Sequence, residues 1–181
     1  MSILTPRHES ADLLITSFVP WLAHQKSNSS DDLIAALQSQ NKLPTKSVWL
    51  RHVPVCFDSA PELVIAELRR LRPRAIICCG MAERRTCLTI EKQAERKQAK
   101  GRQTLQTPVN VQHLLKETSQ SEVSYDAGQY VCNHLYYQVL VTIDEFQLAT
   151  AAIFVHVPIL TDENKFAMLE DFFKISSALL S

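Results

Sequence analysis

"SAPELVIAELRRLRPRAIICCG", residues 59–80, sets a helix pattern directly in front of a strand pattern. Ser59 stands where a helix N-cap belongs, Pro61 and Glu62 follow in the first turn, and a basic end precedes Pro73, so the charges suit the helix dipole. "RAIICCG" then runs almost wholly apolar up to Gly80. A strand without polar alternation calls for apolar cover on both faces, which a parallel sheet clad by helices on both sides provides. The vicinal pair Cys78 and Cys79 lies inside this run and is expected to be buried.

The same alternation extends in both directions. Upstream, "DLLITSFVPW" (12–21) opens with an apolar run of strand length and ends in a proline-containing loop. "SSDDLIAALQSQ" (29–40) starts on capping residues and spaces Leu33, Ile34 and Leu37 at helical intervals. "SVWLRHVPVCF" (47–57) alternates as a strand through Val48 and Leu50, then resumes at Val53 and Val55 after a one-residue slip. Downstream, "NVQHLLKETS" (110–119) regains helical spacing, and "SEVSYDAG" (121–128) reads as a short strand and turn. "QYVCNHLYYQVL" (129–140) is a helix pattern with Val131, Leu135, Tyr136 and Val139 on one face. "AAIFVHVPIL" (151–160) is an apolar strand stopped by Pro158, and residues 162–180 form a last helix with Asp162 or Asn164 near its cap. Between 83 and 110 the pattern is lost in a polar, Lys- and Arg-rich stretch, which reads as a solvated helix or mobile loop. Strands alternating with amphipathic helices predict an α/β fold: a single-domain α/β/α sandwich over 1–181, with a mostly parallel central sheet.

Composition bounds the function. The chain has 181 residues, 46% of them apolar, and its charges cancel to +0, which argues against a general nucleic-acid binder. No apolar run reaches the roughly 18 residues needed to span a bilayer. The opening "MSILTPRHES" lacks a basic segment followed by a long apolar one, so no secretion leader is read there and a cytoplasmic location is expected. Five cysteines, an odd number, fit free thiols better than a disulfide framework. No paired Cys or His spacing points to a metal site.

Two residues stand out chemically. Cys132 falls just inside a helix start, behind a turn at Gly128, where the helix dipole and exposed N–H groups favour a thiolate. A nucleophilic thiolate needs a proton acceptor, and His156, the one imidazole in an apolar strand near its C-terminal end, is the candidate. Read singly, such a cysteine is a small buried hydrophobe and such a histidine a hydrogen-bonded core residue. Only the pair points to catalysis.

Several stretches together carry a resemblance. "DAGQYVCNHLYYQVL" (126–140) resembles the cysteine motif of the pyroglutamyl peptidase I family, the pyrrolidone-carboxylate peptidases, in which a small-residue turn precedes Y-x-C-N and an aromatic-rich helix. "FVHVPIL" (154–160) is similar to its histidine motif, and "ITSFVPW" (15–21) to its opening strand and substrate loop, normally T-G-F-x-P-F. "SNSSDDLIAAL" (27–37) resembles the helix start that follows that loop. "LRPRAIICCGMAERRTCLTIEKQA" (71–94) resembles the central strand, the glycine turn and the segment carrying the family's glutamate. The order of motifs is kept from about Asp12 onward.

The resemblance implies a cysteine peptidase that removes N-terminal pyroglutamate from peptides through a thioester acyl-enzyme. Cys132 would be the nucleophile, His156 its base and later the acid, and Glu91 the group that orients the imidazolium. From the residues alone Glu91 reads as an exposed helix glutamate. Phe18 and Trp21 match two aromatic positions of the substrate loop, Trp21 replacing a phenylalanine; as bare residues both read as core aromatics. Gly80 would allow a close turn beneath the site. No metal or organic cofactor is implied, and the partners are a pyroglutamyl peptide and further copies of the chain in a homo-oligomer, with no nucleic acid and no membrane. The chain departs from the pattern at Ser17, where glycine is usual, at Glu83 and Arg84, which replace a glycine-bearing turn, and at 96–108, which is shorter. These changes gather on the substrate side. They keep open a same-fold cysteine hydrolase with a different amide substrate, or a non-catalytic binding relative.

Overall fold

Six strands line up in the order β2-β1-β3-β8-β4-β7 in the computed structural model, which describes residues 11–181. The reading of "MSILTPRHES" therefore lies outside the described residues. In chain order the elements are β1 (Leu13–Phe18), α1 (Ser29–Ser39), β2 (Ser47–Val53), α2 (Ser59–Leu71), β3 (Ala75–Met81) and β4 (Thr89–Glu91). They continue with β5 (Gln93–Gln98), β6 (Gly101–Gln106), α3 (Val111–Leu114), β7 (Glu122–Ser124), α4 (Val131–Glu145), β8 (Ala151–Val157) and α5 (Lys165–Leu180). All neighbours in the main sheet run parallel except β4 against β8. The predicted mostly parallel sheet is thus present, with one antiparallel pairing beside the site.

The apolar strands are buried on both faces, as their composition requires. Alternate residues of β3 and β8 serve two cores. Cys78 and Phe154 pack with α2 and α4 through Leu68, Leu135 and Tyr136. Ile77, Cys79 and Val155 pack with α1 and α5 through Leu37 and Phe172. Cys78 and Cys79 are both fully buried.

Local sequence explains the details. Asn28 caps α1, its side chain accepting from the Ser30 amide at 3.0 Å. The N-cap of α2 is Asp58, one residue before the expected Ser59, which becomes the first helical residue. Asn164, of the two candidates, caps α5. The slip read in 47–57 is a bulge: pairing passes from Thr16–Leu50 to Phe18–Val53, and His52 takes φ 56° to absorb the extra residue.

The stretch expected as a solvated helix or loop is instead a β-hairpin. β5 and β6 pair antiparallel from Gln93–Gln106 to Gln98–Gly101. Gly101 supplies the positive φ, 103°, at its tip. Asn133 fixes the base of the hairpin, accepting from the Glu95 amide at 2.8 Å and donating to the Glu95 carbonyl at 2.7 Å. Arg96 lies over the Tyr137 ring, and Arg102 pairs with Glu95 at 2.9 Å. Apart from the Ala94–Leu105 pair, which turns into the core, the hairpin is polar, and one apolar pair is too little to show a period-2 alternation.

Candidate active site

Three elements bring the chemical groups together. β8 ends at Val157 and presents Phe154 and His156 toward α4; β3 lies beside it with Gly80 opposite His156. On the other side of β8, the antiparallel β4 sets Thr89 opposite His156 and Glu91 opposite Phe154. Residues opposite one another share a face, so Glu91 is a diagonal neighbour of His156 on the α4 side. α4 begins at Val131 and brings Cys132 over Gly80.

The contacts follow this register. His156 Nδ1 lies 2.7 Å from Glu91 Oε1, and a hydrogen bond joins the same ring to the Cys132 side chain. Sulfur, imidazole and carboxylate thus meet at one place, with Glu91 fully buried and Cys132 half-buried. Gly80 is the only residue that fits beneath the sulfur: a Cβ there would sit 2.7 Å from Cys132 Sγ and 3.0 Å from the Phe154 ring. Phe154 also packs its ring against His156, centroids 4.9 Å apart.

Burial by itself would drive the His156 pKa down. Its hydrogen bonds to Cys132 and Glu91, and the charges of those groups, outweigh burial and raise it to about 9. The ring is therefore an imidazolium at neutral pH, facing a sulfur on one side and a carboxylate on the other.

Glu91, read from the residues alone as an exposed helix glutamate, is a fully buried strand residue. Its Oε1 also receives the Thr89 hydroxyl at 3.4 Å and lies 3.7 Å from the Arg85 guanidinium. Its Oε2 makes no hydrogen bond among the described residues, and Arg85 is a second nearby cation beside His156. Arg85 is anchored by Ser124 Oγ and the Asp126 carbonyl, each at 3.0 Å. The sequence marks Asn133 only as the asparagine of the Y-x-C-N motif, with no role, and does not mark Arg85. Arg85 sits in an unpatterned "ERRT" run, and Asn133 acts on the backbone of a hairpin that was itself not anticipated.

Cys132 and His156 open into a cleft of about 870 Å³. Phe18 at the end of β1 and Trp21 in the following loop line it, with Met81 to Arg85 from the end of β3 onward and Asp126 to Val131 from the turn into α4. Phe18 is at once core and wall, 2% exposed, whereas Trp21 is 47% exposed and tilts against Tyr130 with centroids 5.4 Å apart. Glu83 ties the two loops together, bonding His24 at 2.9 Å and Gln25 at 2.7 Å; Gln25 in turn accepts from the Trp21 and Leu22 amides. At the Ser17 departure, the hydroxyl donates to Asp31 at 2.7 Å and accepts from the Trp49 indole at 2.9 Å. No group of metal-binding side chains is found among the described residues, and no described helix is long and apolar enough to cross a membrane.

A mostly parallel α/β sheet that brings together a cysteine at a helix start, an imidazolium and a buried carboxylate has the build of a thiol hydrolase. The comparisons with known proteins narrow this. The pyroglutamyl peptidase family model matches residues 11–103 and 103–167, so the chain belongs to the pyroglutamyl peptidase family, cysteine-type exopeptidases that remove N-terminal pyroglutamate. It is 29% identical over 177 residues to the pyrrolidone-carboxylate peptidase of Streptococcus pneumoniae, covering 83% of this chain and 79% of that protein. A pyrrolidone-carboxylate peptidase of Streptococcus pyogenes is 26% identical over the same coverage. The crystal structure of pyroglutamyl peptidase I from Bacillus amyloliquefaciens superposes with a TM-score of 0.75 at 19% identity, over 94% of this chain and 95% of that one.

Proposed function

We propose that Cys132, His156 and Glu91 are the catalytic triad with which this chain removes pyroglutamate from peptide N-termini. The observation that carries this reading is the buried 2.7 Å bond from Glu91 to His156 Nδ1, with the other side of the ring bonded to Cys132 at the floor of a cleft.

The steps follow from the geometry. The sulfur attacks the pyroglutamyl carbonyl, forming a C–S bond and placing negative charge on oxygen. Backbone N–H groups of the first turn of α4 face that oxygen, since a helix leaves them without intrahelical partners. The C–N bond then breaks, and the imidazolium gives its proton to the departing amine. Glu91 keeps the ring oriented throughout and does not itself accept the proton. Water, deprotonated by the now neutral His156, attacks the thioester and releases pyroglutamate, and the proton returns to the imidazole–sulfur pair. Phe18 and Trp21 supply the faces that hold the lactam, whose neutral amide offers no ammonium for recognition.

Hydrolysis of a pyroglutamyl fluorogenic amide tests the proposal. Wild type turns over, and Cys132→Ser loses about 10⁴-fold or more, as removal of a nucleophile does. His156→Ala falls comparably, and Glu91→Gln by roughly 10²-fold. Equal rates in wild type and Cys132→Ser would remove the triad. Turnover of other N-blocked peptides with none of pyroglutamyl amides would select a different amide substrate, and a Cys132 slow to react with iodoacetamide would select the non-catalytic relative. The alkylation must be mapped by mass, because exposed Cys56 is also reactive: hydrogen bonds from Ser59 and from the Asp58 and Ser59 backbone lower its pKa. A reducing, cytoplasmic location and a homo-oligomer belong to the same reading. Sedimentation at the monomer mass alone would remove the oligomer.

A further inference from the structure

The cleft floor explains the chemistry, but its volume far exceeds one lactam ring, so the rest must receive the leaving peptide. The charges on that outer wall are not equivalent. Glu83 is hydrogen-bonded within the protein to His24 and Gln25. Arg85 is held by Ser124 and the Asp126 carbonyl, and it faces the buried Glu91. Asp126 Oδ1 accepts from the Gly128 amide at 2.9 Å. The imidazolium of His156 faces sulfur and carboxylate. Arg84 differs: it lines the same cleft, is exposed, and has no ion pair or hydrogen bond to any described side chain. Among the described groups that line the cleft, Arg84 is the cation that no group of the protein engages, whereas the carboxylates Glu83 and Asp126 already accept hydrogen bonds from within the protein.

We propose that Arg84 determines specificity on the leaving side, selecting peptides with a carboxylate at or next to the first residue after pyroglutamate. The reading rests on the pyroglutamyl assignment above. Two sources supply such a group: an acidic side chain, or the C-terminal carboxylate of a dipeptide. A guanidinium accepts either through two parallel N–H donors. The pair is solvent-exposed, so the selectivity is modest, roughly 3- to 5-fold in kcat/KM, and it fades toward 1 M salt, where the screening length falls to about 3 Å.

The test compares four substrates on the intact protein: pyroglutamyl-Ala-Ala amide, pyroglutamyl-Glu-Ala amide, pyroglutamyl-Lys-Ala amide and the free acid pyroglutamyl-Ala. Wild type at low salt is expected to favour the glutamyl amide, the free acid, or both over the neutral amide, and to disfavour the lysyl one. A preference for the glutamyl amide alone assigns the side chain, and for the free acid alone the terminal carboxylate. Arg84→Gln should bring the ratios to about 1, and Arg84→Glu should invert them toward lysine. Wild-type turnover at equal rates on all four, or ratios that survive Arg84→Glu, would overturn the assignment and leave the pyroglutamyl reading standing. Absence of turnover on every pyroglutamyl substrate would overturn both.

Discussion

Gly80 and His156 make the sharpest demands of any single residues. A methyl at position 80 would sit 2.7 Å from the Cys132 sulfur and 3.0 Å from the fully buried Phe154 ring. Gly80→Ala should therefore push the sulfur off its line to His156 and lower kcat at least 10-fold, with roughly 1–3 kcal/mol lost to overpacking; an unaffected kcat would mean that the sulfur has slack. His156 titrates at about 9, against burial, because Cys132 and Glu91 bond to it. Its folded-state pKa lies above its ordinary 6.5, so the protonated ring stabilises the fold fully below pH 6.5, and that contribution fades as pH rises through about 9. In Cys132→Ala the sulfur's bond and charge are gone while burial remains, so the His156 pKa should fall. Imidazole NMR titration reads this directly, and an unmoved pKa would show that Glu91 alone holds the proton.

Among the elements, the β5–β6 hairpin depends on a neighbour for its anchoring. Asn133 offers one acceptor and one donor to the Glu95 backbone and so clamps β5 to the first turn of α4, beside Cys132. Asn133→Ala leaves a part-buried amide and carbonyl short of partners, at about 1 kcal/mol or somewhat more. Amides 93–106 should then exchange faster with solvent while those of β3 and β8 keep their protection; unchanged exchange in the hairpin would show that Arg96 on Tyr137 suffices. This contact also shows what the sequence concealed. The buried strands, the amphipathic helices, the β2 slip and the Cys132–His156 pair were legible, because apolar periodicity and helix caps are local signals. The hairpin was not, since "QAERKQAKGRQTLQ" turns a single apolar pair, Ala94 and Leu105, to the core and its anchor lies 38 residues away. Glu91 sits in a three-residue strand, too short to show a period, so its burial was visible only through the family resemblance. Arg85 answers a carboxylate six residues on through the loop's path, which spacing does not encode.

At the scale of the whole molecule, the two cores share one sheet, and this coupling carries the single-domain reading. β3 sends Cys78 to the α2–α4 face and Cys79 to the α1–α5 face, and β8 does the same with Phe154 and Val155. Loss of one face would strip half the cover from strands that are apolar on both sides, so neither face has a stable state of its own. Phe172 in α5 is fully buried on the face away from Cys132. Phe172→Ala should cost about 3–5 kcal/mol, or a Tm fall of roughly 6–20 °C for a chain of this length. The loss should appear equally in helix circular dichroism, in labelling of the buried Cys78 and Cys79, and in activity at the opposite face, all with one midpoint. Activity that outlasts the helix signal, or cysteine labelling in two steps, would divide the chain into two cooperative units and end the reading of the sandwich as one domain.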